Sequence, residues 1–140
     1  METYIHKSCN IYDSAEIGKG TRIGAFVEVG HKVKIGKNCR IGCGSFIPEN
    51  IIIEDNVFVG PHTVFTNDKN PPSNGAWRDK PPTVVKEGAA IGANSTILPN
   101  ITLGNDCKIG AGSVVTKDVP NNQVWLGVPA KRMHNPKYEK

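Results

Sequence analysis

The sequence contains no apolar run approaching the ~20 residues that a membrane-spanning helix needs, and its mean hydropathy is −0.33. Its opening residues, METYIHKSCN, lack the basic start and apolar stretch of a secretory leader. Aromatic residues make up only 6% of the chain. No CxxC pair joins Cys9, Cys39, Cys43 and Cys107, which argues against a zinc knuckle. Tracts of like charge are also missing. The net charge of +4 comes from scattered lysines, which excludes a nucleic-acid arm or a membrane patch but suits a multiply anionic small ligand. Neither GxSxG nor a GxxxxGK loop leading into a helix is present, so serine-triad and phosphate-loop chemistries have no local support. Together these absences predict a soluble, cytoplasmic protein with no nucleic-acid or membrane partner. A length of 140 residues suits one domain.

Glycine and proline are plentiful, with 15 and 10 residues, too many for a helical bundle. They fall within a repeat. Every sixth residue from Ile5 is large and apolar: Ile5, Ile11, Ile17, Ile23, Val29, Ile35, Ile41, Ile47, Ile53, Val59 and Phe65. After a break the rule resumes at Val85, Ile91, Ile97, Leu103, Ile109 and Val115. Glycine often follows the apolar residue, and a small or β-branched residue stands four places after it, as at Val27, Ser45 and Thr63. A period of six fits neither an α-helix nor an alternating strand. It fits a short extended face followed by a corner, where the glycine tolerates turn geometry that a Cβ resists. The expectation is an all-β parallel β-helix: three hexapeptides form one triangular coil, and about five or six coils stack ~4.8 Å apart into a prism. The large residue fills the axis. Cys9, Cys39 and Cys107 occupy the smaller inward slot as compact apolar fillers, and Cys43 lies outside it.

The repeat breaks between Phe65 and Val85. The segment TNDKNPPSNGAWRDKPPT (residues 66–83) holds four prolines and Trp77, so it reads as a loop extruded from the prism, insertion about 66–84. Trp77 favours a functional loop. Just before it stands Gly60-Pro61-His62, followed by Thr66-Asn67-Asp68. These place His62, Asn67 and Asp68 near one corner, where a histidine, titrating near neutrality, can accept a proton. Of the four histidines only His31 and His62 fall in regular coils, short of the three ligands a catalytic zinc needs. No metal is expected. The regular coil domain spans 1–119, and 120–140 forms a short C-terminal tail.

The hexad ladder, with IGAGSVVTKDVP and GVPAK near the end, resembles the left-handed β-helix, hexapeptide-repeat acyltransferases. FVGPHTVFTND (58–68) and KPPTVVKEGAAIGAN (80–94) resemble more narrowly the N-acetyltransferases of nucleotide-linked 3-amino sugars. The resemblance implies a homotrimer with acetyl-CoA in the groove between adjacent prisms, the loop of one subunit reaching toward its neighbour. By similarity, Gly92, Ala93, Gly110 and Ala111 contact the pantetheine arm and Lys117 approaches a phosphate. The stretch 127–132, with Pro129, Lys131 and Arg132, covers the adenine end, so the 120–140 tail contributes to the CoA site. Asn67 meets the amino group of the sugar, while Asp68, Trp77 and Arg78 complete the acceptor side. His62 is a candidate general base for direct attack of the amine on the thioester. Two alternatives stay open: O-acetylation of a sugar or small hydroxy compound, which needs His62 more strictly, and a non-catalytic β-helix scaffold.

Overall fold

The structure, a computed structural model, describes residues 2–134 and Lys137. Short strands repeat at every hexad, and residue pairs such as Tyr4↔Arg22 and Ile5↔Ile23 set one coil above the next in parallel register. The strands form three faces. The first carries Tyr4–Ile5, Arg22–Ile23, Arg40–Ile41, Phe58–Val59, Ala90–Ile91, Lys108–Ile109 and Val124–Gly127, closed by the antiparallel Ala130–Met133. The second runs from Asn10–Ile11 to Val114–Val115, and the third from Glu16–Ile17 to Thr102–Leu103. This is the expected left-handed parallel β-helix. It has about seven turns rather than five or six, because Val124–Gly127, inside the 120–140 segment, adds a rung by pairing with Lys108–Ile109.

Both inward slots are filled as the repeat requires. The sixth-residue ladder is buried from Ile23 to Val115, and the small slot holds Val27, Cys39, Ser45, Thr63 and Cys107, all at 1% exposure or less. The polar fillers are satisfied by the coil itself: Thr21 Oγ1 donates to the Gly36 carbonyl and Ser45 Oγ to that of Gly60. Burying each Ile contributes roughly 1.5–3 kcal/mol. Ile5, in the first rung, stays 42% exposed because no coil lies beneath it among the described residues.

The glycines do a different job from the one expected. Those directly after the apolar residue are needed for clearance: a Cβ on Gly92 would stand 2.5 Å from the Ala111 nitrogen, and one on Gly60 2.6 Å from that of Ala93. From the third corner on, a left-handed residue comes two places later, at Gly20, Phe26, Lys32, Asn38, Gly44, Asn50, Asn56, His62, Gly88, Asn94, Asn100, Asp106 and Gly112. Asn and Asp tolerate that region better than most side chains.

Candidate active site

The edge between the first and second faces is a column of turns, one per rung. Each turn hangs on the one below: His62 N–H donates to the Cys43 carbonyl, Asn94 N–H to that of Pro61 and Gly112 N–H to that of Ala93, at 2.8–3.0 Å. His62, Ala93 and Ala111 therefore follow one another up a single edge, with Gly92 and Gly110 beside them. Ala93 and Ala111 sit between the glycine and the left-handed residue. Their N–H groups meet no backbone acceptor among the described residues. That gives an extended amide-bearing ligand two donors a coil apart on a ridge of small side chains.

His62 is exposed, with φ 56°. Its ring folds down over the turn below: a Cβ on Gly44 would meet His62 Cε1 and Nδ1 at 2.5 Å. Gly44 itself has φ +73°, so it supplies both the turn and the room for the imidazole. No sequence signal was assigned to Gly44; its place eighteen residues below His62 could have given one.

The loop leaves at the next edge, between the second and third faces. His62 and Asn67 therefore do not share a corner. The strand Val64–Phe65 runs between them, so they stand at the two ends of the second face. Six-residue counting explains the separation, since His62 belongs to the turn after Val59 and Asn67 to the turn after Phe65.

Within the loop, Asp68 acts on its own backbone: Oδ1 accepts the Asn70 N–H at 3.3 Å and Oδ2 the Ser73 N–H at 2.9 Å. Asn67 donates through Nδ2 to the Glu49 carbonyl at 3.3 Å. The loop's one helical turn, Ala76–Asp79, places Trp77 beside the prism. Asn50 and Asn100, both at left-handed corners, donate to Pro81 and hold the loop's return. These contacts enclose a cavity of about 340 Å³ lined by Asn67, Asp68, Ser73, Trp77, Lys80 and Asn100. The buried Oγ of Ser73, one of these lining residues, has no hydrogen-bond partner among the described residues. An aromatic face among amide and hydroxyl groups suits a polar, hydroxyl-rich ligand. Arg78 lies outside this cavity: its guanidinium covers the Trp77 ring at 4.3 Å and reaches Glu49 at 4.0 Å. It lines a separate groove with Lys32 and Lys34.

At the C-terminal end, Gly127 N–H donates to Ser113 Oγ at 3.1 Å. This sets the hairpin turn with Pro129 above the first edge, in line with Gly110 and Ala111. Lys131 and Arg132 are exposed on the returning strand. Lys117 belongs to the other edge, with Nζ 6.0 Å from the centre of the Trp125 ring, a ring packed against the end of the core. The structure thus aligns His62, Gly92, Ala93, Gly110, Ala111 and Pro129. Asn67, Asp68 and Trp77 gather in the loop cavity, while Arg78 and Lys117 stand apart. Among the described residues, no group of three or more His, Cys, Asp or Glu side chains converges, and no helix is long and apolar enough to cross a membrane.

The family profile described as bacterial transferase hexapeptide (six repeats) matches residues 32–67 and 82–117, just over half of the chain. One described as hexapeptide repeat of succinyl-transferase matches 15–48. A dTDP-3-amino-3,6-dideoxy-alpha-D-galactopyranose 3-N-acetyltransferase from Aneurinibacillus thermoaerophilus is 49% identical over 49 residues, 35% of this chain and 26% of that protein. The galactoside O-acetyltransferase of Escherichia coli (strain K12) is 36% identical over 86 residues, 58% of this chain and 42% of that protein. Among solved structures, a variant of perosamine N-acetyltransferase from Caulobacter crescentus, in complex with CoA and GDP-perosamine, superposes with a TM-score of 0.84 at 25% identity, covering 96% of this chain and 58% of that one. The chain spans less than half the length of the curated relatives it matches.

Proposed function

The chain belongs to the bacterial hexapeptide-repeat transferases, and from that premise we propose that it is an acetyl-CoA-dependent N-acetyltransferase acting on the amino group of a nucleotide-linked amino sugar. The observation that carries this reading is the first edge: a histidine, two unengaged turn amides on successive rungs and a closing hairpin, all in one line. Acetyl-CoA fits that line. The N–H groups of Ala93 and Ala111 hold the pantetheine amides, Gly92 and Gly110 let the chain approach, and Pro129, Lys131 and Arg132 cover the nucleotide end. The basic pair supplies charge for phosphate oxygens. Lys117 and Arg78 have smaller parts in this reading than similarity suggests, Lys117 supporting the Trp125 cap and Arg78 bracing the loop.

The acceptor lies in the loop cavity, where Asn67 holds the amino group, Trp77 faces the sugar ring and Asp68 shapes the loop. His62 and Asn67 stand at opposite ends of one face, which supports a homotrimer in which the loop of one subunit lies over the first edge of the next and brings the two together. As the amine attacks the acetyl carbonyl, the His62 imidazole takes its proton and a turn N–H receives the charge developing on the carbonyl oxygen; the C–S bond then breaks and CoA leaves as the thiolate, which can recover that proton. Holding both reactants in line supplies much of the acceleration, roughly 7–11 kcal/mol for well-oriented pairs. The enzyme acts in the cytoplasm on this reading. Similarity to a galactoside O-acetyltransferase supports the second reading, transfer to a hydroxyl.

The test is the product and its dependence on His62. Incubation with acetyl-CoA and an amino-sugar nucleotide is expected to yield a product one acetyl group heavier that resists hydroxylamine, as an amide does. Replacement of His62 by Asn, which keeps a side chain suited to the left-handed turn, is expected to lower turnover about 10²-fold or more with unchanged melting. A hydroxylamine-labile product would contradict N-acetylation and favour the ester-forming reading.

A further inference from the structure

The outward side of the first face carries a ladder that neither the core nor the loop uses. Tyr4, Arg22, Arg40 and Phe58 stand in register on successive rungs. The Arg22 guanidinium lies 5.0 Å from the centre of the Tyr4 ring, and Arg40 is one strand spacing away, about 4.8 Å in a parallel sheet. Two arginines thus stand on adjacent rungs of one face. Neither has a carboxylate in ion-pair reach among the described residues, whose ion pairs are Arg78–Glu49 and Lys86–Glu54. The first-edge turns (residues 6–9, 24–27, 42–45, 60–63, 92–95 and 110–113) contain no Asp or Glu, and on the face's other edge Asp55 accepts the Lys37 N–H and Glu54 pairs with Lys86.

Solvated surface arginines need no common wall. These line a groove of about 440 Å³ with Tyr4, Phe58, Gly42, Cys43 and Pro61. The groove ends beside the turn over which the His62 ring folds. Charge complementarity therefore calls for an anion with at least two negative groups, and the flanking aromatics call for a planar or ring-bearing ligand. Arginine forks bind phosphate oxygens in pairs, and aromatic faces stack on bases.

We infer that this groove binds the nucleoside diphosphate portion of the acceptor, Arg40 and Arg22 holding the phosphates and the Tyr4 end taking the base. This rests on the reading of a nucleotide-linked acceptor given above. The two substrates then approach the His62 rung from opposite directions along one edge: acetyl-CoA from the C-terminal hairpin, the nucleotide from the N-terminal rungs.

Calorimetric titration of the whole chain with dTDP, UDP and GDP, and separately with CoA, tests it. Arg22→Gln and Arg40→Gln are each expected to weaken nucleoside diphosphate binding about tenfold, and the double variant about 100-fold. CoA affinity and melting should stay unchanged, and Lys32→Gln, an equal charge change on the corner opposite the first face, should have no effect. In turnover, the double variant should raise the KM for the acceptor and spare kcat. A double variant that binds nucleoside diphosphates like the parent would overturn the groove assignment while leaving acetyl transfer to an amino-sugar nucleotide standing. Equal loss of CoA affinity would overturn it in favour of a CoA phosphate site. A parent protein that binds none of the three nucleotides, yet acetylates a free amino sugar, would overturn the groove and the nucleotide part of the acceptor together.

Discussion

Cys39 and Cys107 occupy the small inward slot, and burial raises both thiols above their ordinary value of 9.0 by desolvating the thiolate, Cys107 to about 12. Cys43 projects from the first edge and is exposed. Brief alkylation of the native protein is therefore expected to label Cys43 while sparing Cys39 and Cys107, as read by peptide mass spectrometry. Modification of Cys107 at a rate matching Cys43 would contradict its placement. The raised thiols also fix a pH dependence. Because the folded state keeps the Cys107 proton that the unfolded chain releases near pH 9, stability from this group is complete below pH 9 and is lost progressively toward pH 12. Urea midpoints should fall as the pH rises through that window, and Cys107→Ala should flatten the fall.

At the scale of the turn, clearance and backbone conformation are separate requirements carried by different residues. Gly36 has no Cβ because one there would stand 2.7 Å from the Asp55 nitrogen and the Glu54 carbonyl carbon of the coil above. Two places on, Asn38 carries φ 56°. Gly36→Ala is expected to cost about 1–3 kcal/mol by forcing coils apart, whereas Asn38→Gly should change stability by no more than about 0.5 kcal/mol. Thermal unfolding of the two variants checks this, and the reverse ranking would refute the division of labour. The sequence carried the signal for it: Asn38, Asn50, Asn56, Asn94, Asn100 and Asp106 recur at one place in the hexad. The more visible column of glycines obscured it, because glycine serves close approach and left-handed turns equally well. From Ile23 to Val115 the inward ladder was legible because its period and its burial are the same fact. His62 and Asn67 looked adjacent because they are near in sequence, but an extended strand separates corners that a five-residue interval joins on paper. The Tyr4–Arg22–Arg40–Phe58 ladder was hidden by its eighteen-residue spacing, visible only once one coil is laid on the next.

For the whole molecule, the separation of His62 from Asn67 by the strand Val64–Phe65 means that the proposed reaction needs a second subunit to bring them together. In mixtures of His62→Ala and Asn67→Ala proteins, dissociated and reassembled together, some interfaces pair an intact first edge with an intact loop. Random reassembly of equal amounts should restore about a quarter of parental activity if the two residues come from different subunits. Activity no greater than that of the separate variants would place both residues in one chain's site. The scaffold itself is stiff, with each rung bonded to its neighbours along three faces, which suits a reaction that depends on holding two reactants in line.

The most direct measurement is thiol release from acetyl-CoA by the purified chain, with a panel of amino-sugar nucleotides set against the matching hydroxyl sugars. The account predicts release that requires both protein and an amino-sugar nucleotide, and no release with the hydroxyl counterparts. Release only with hydroxyl acceptors would contradict the amine assignment, and no release with any acceptor from a chain that also fails to bind CoA would reduce the first edge to a scaffold.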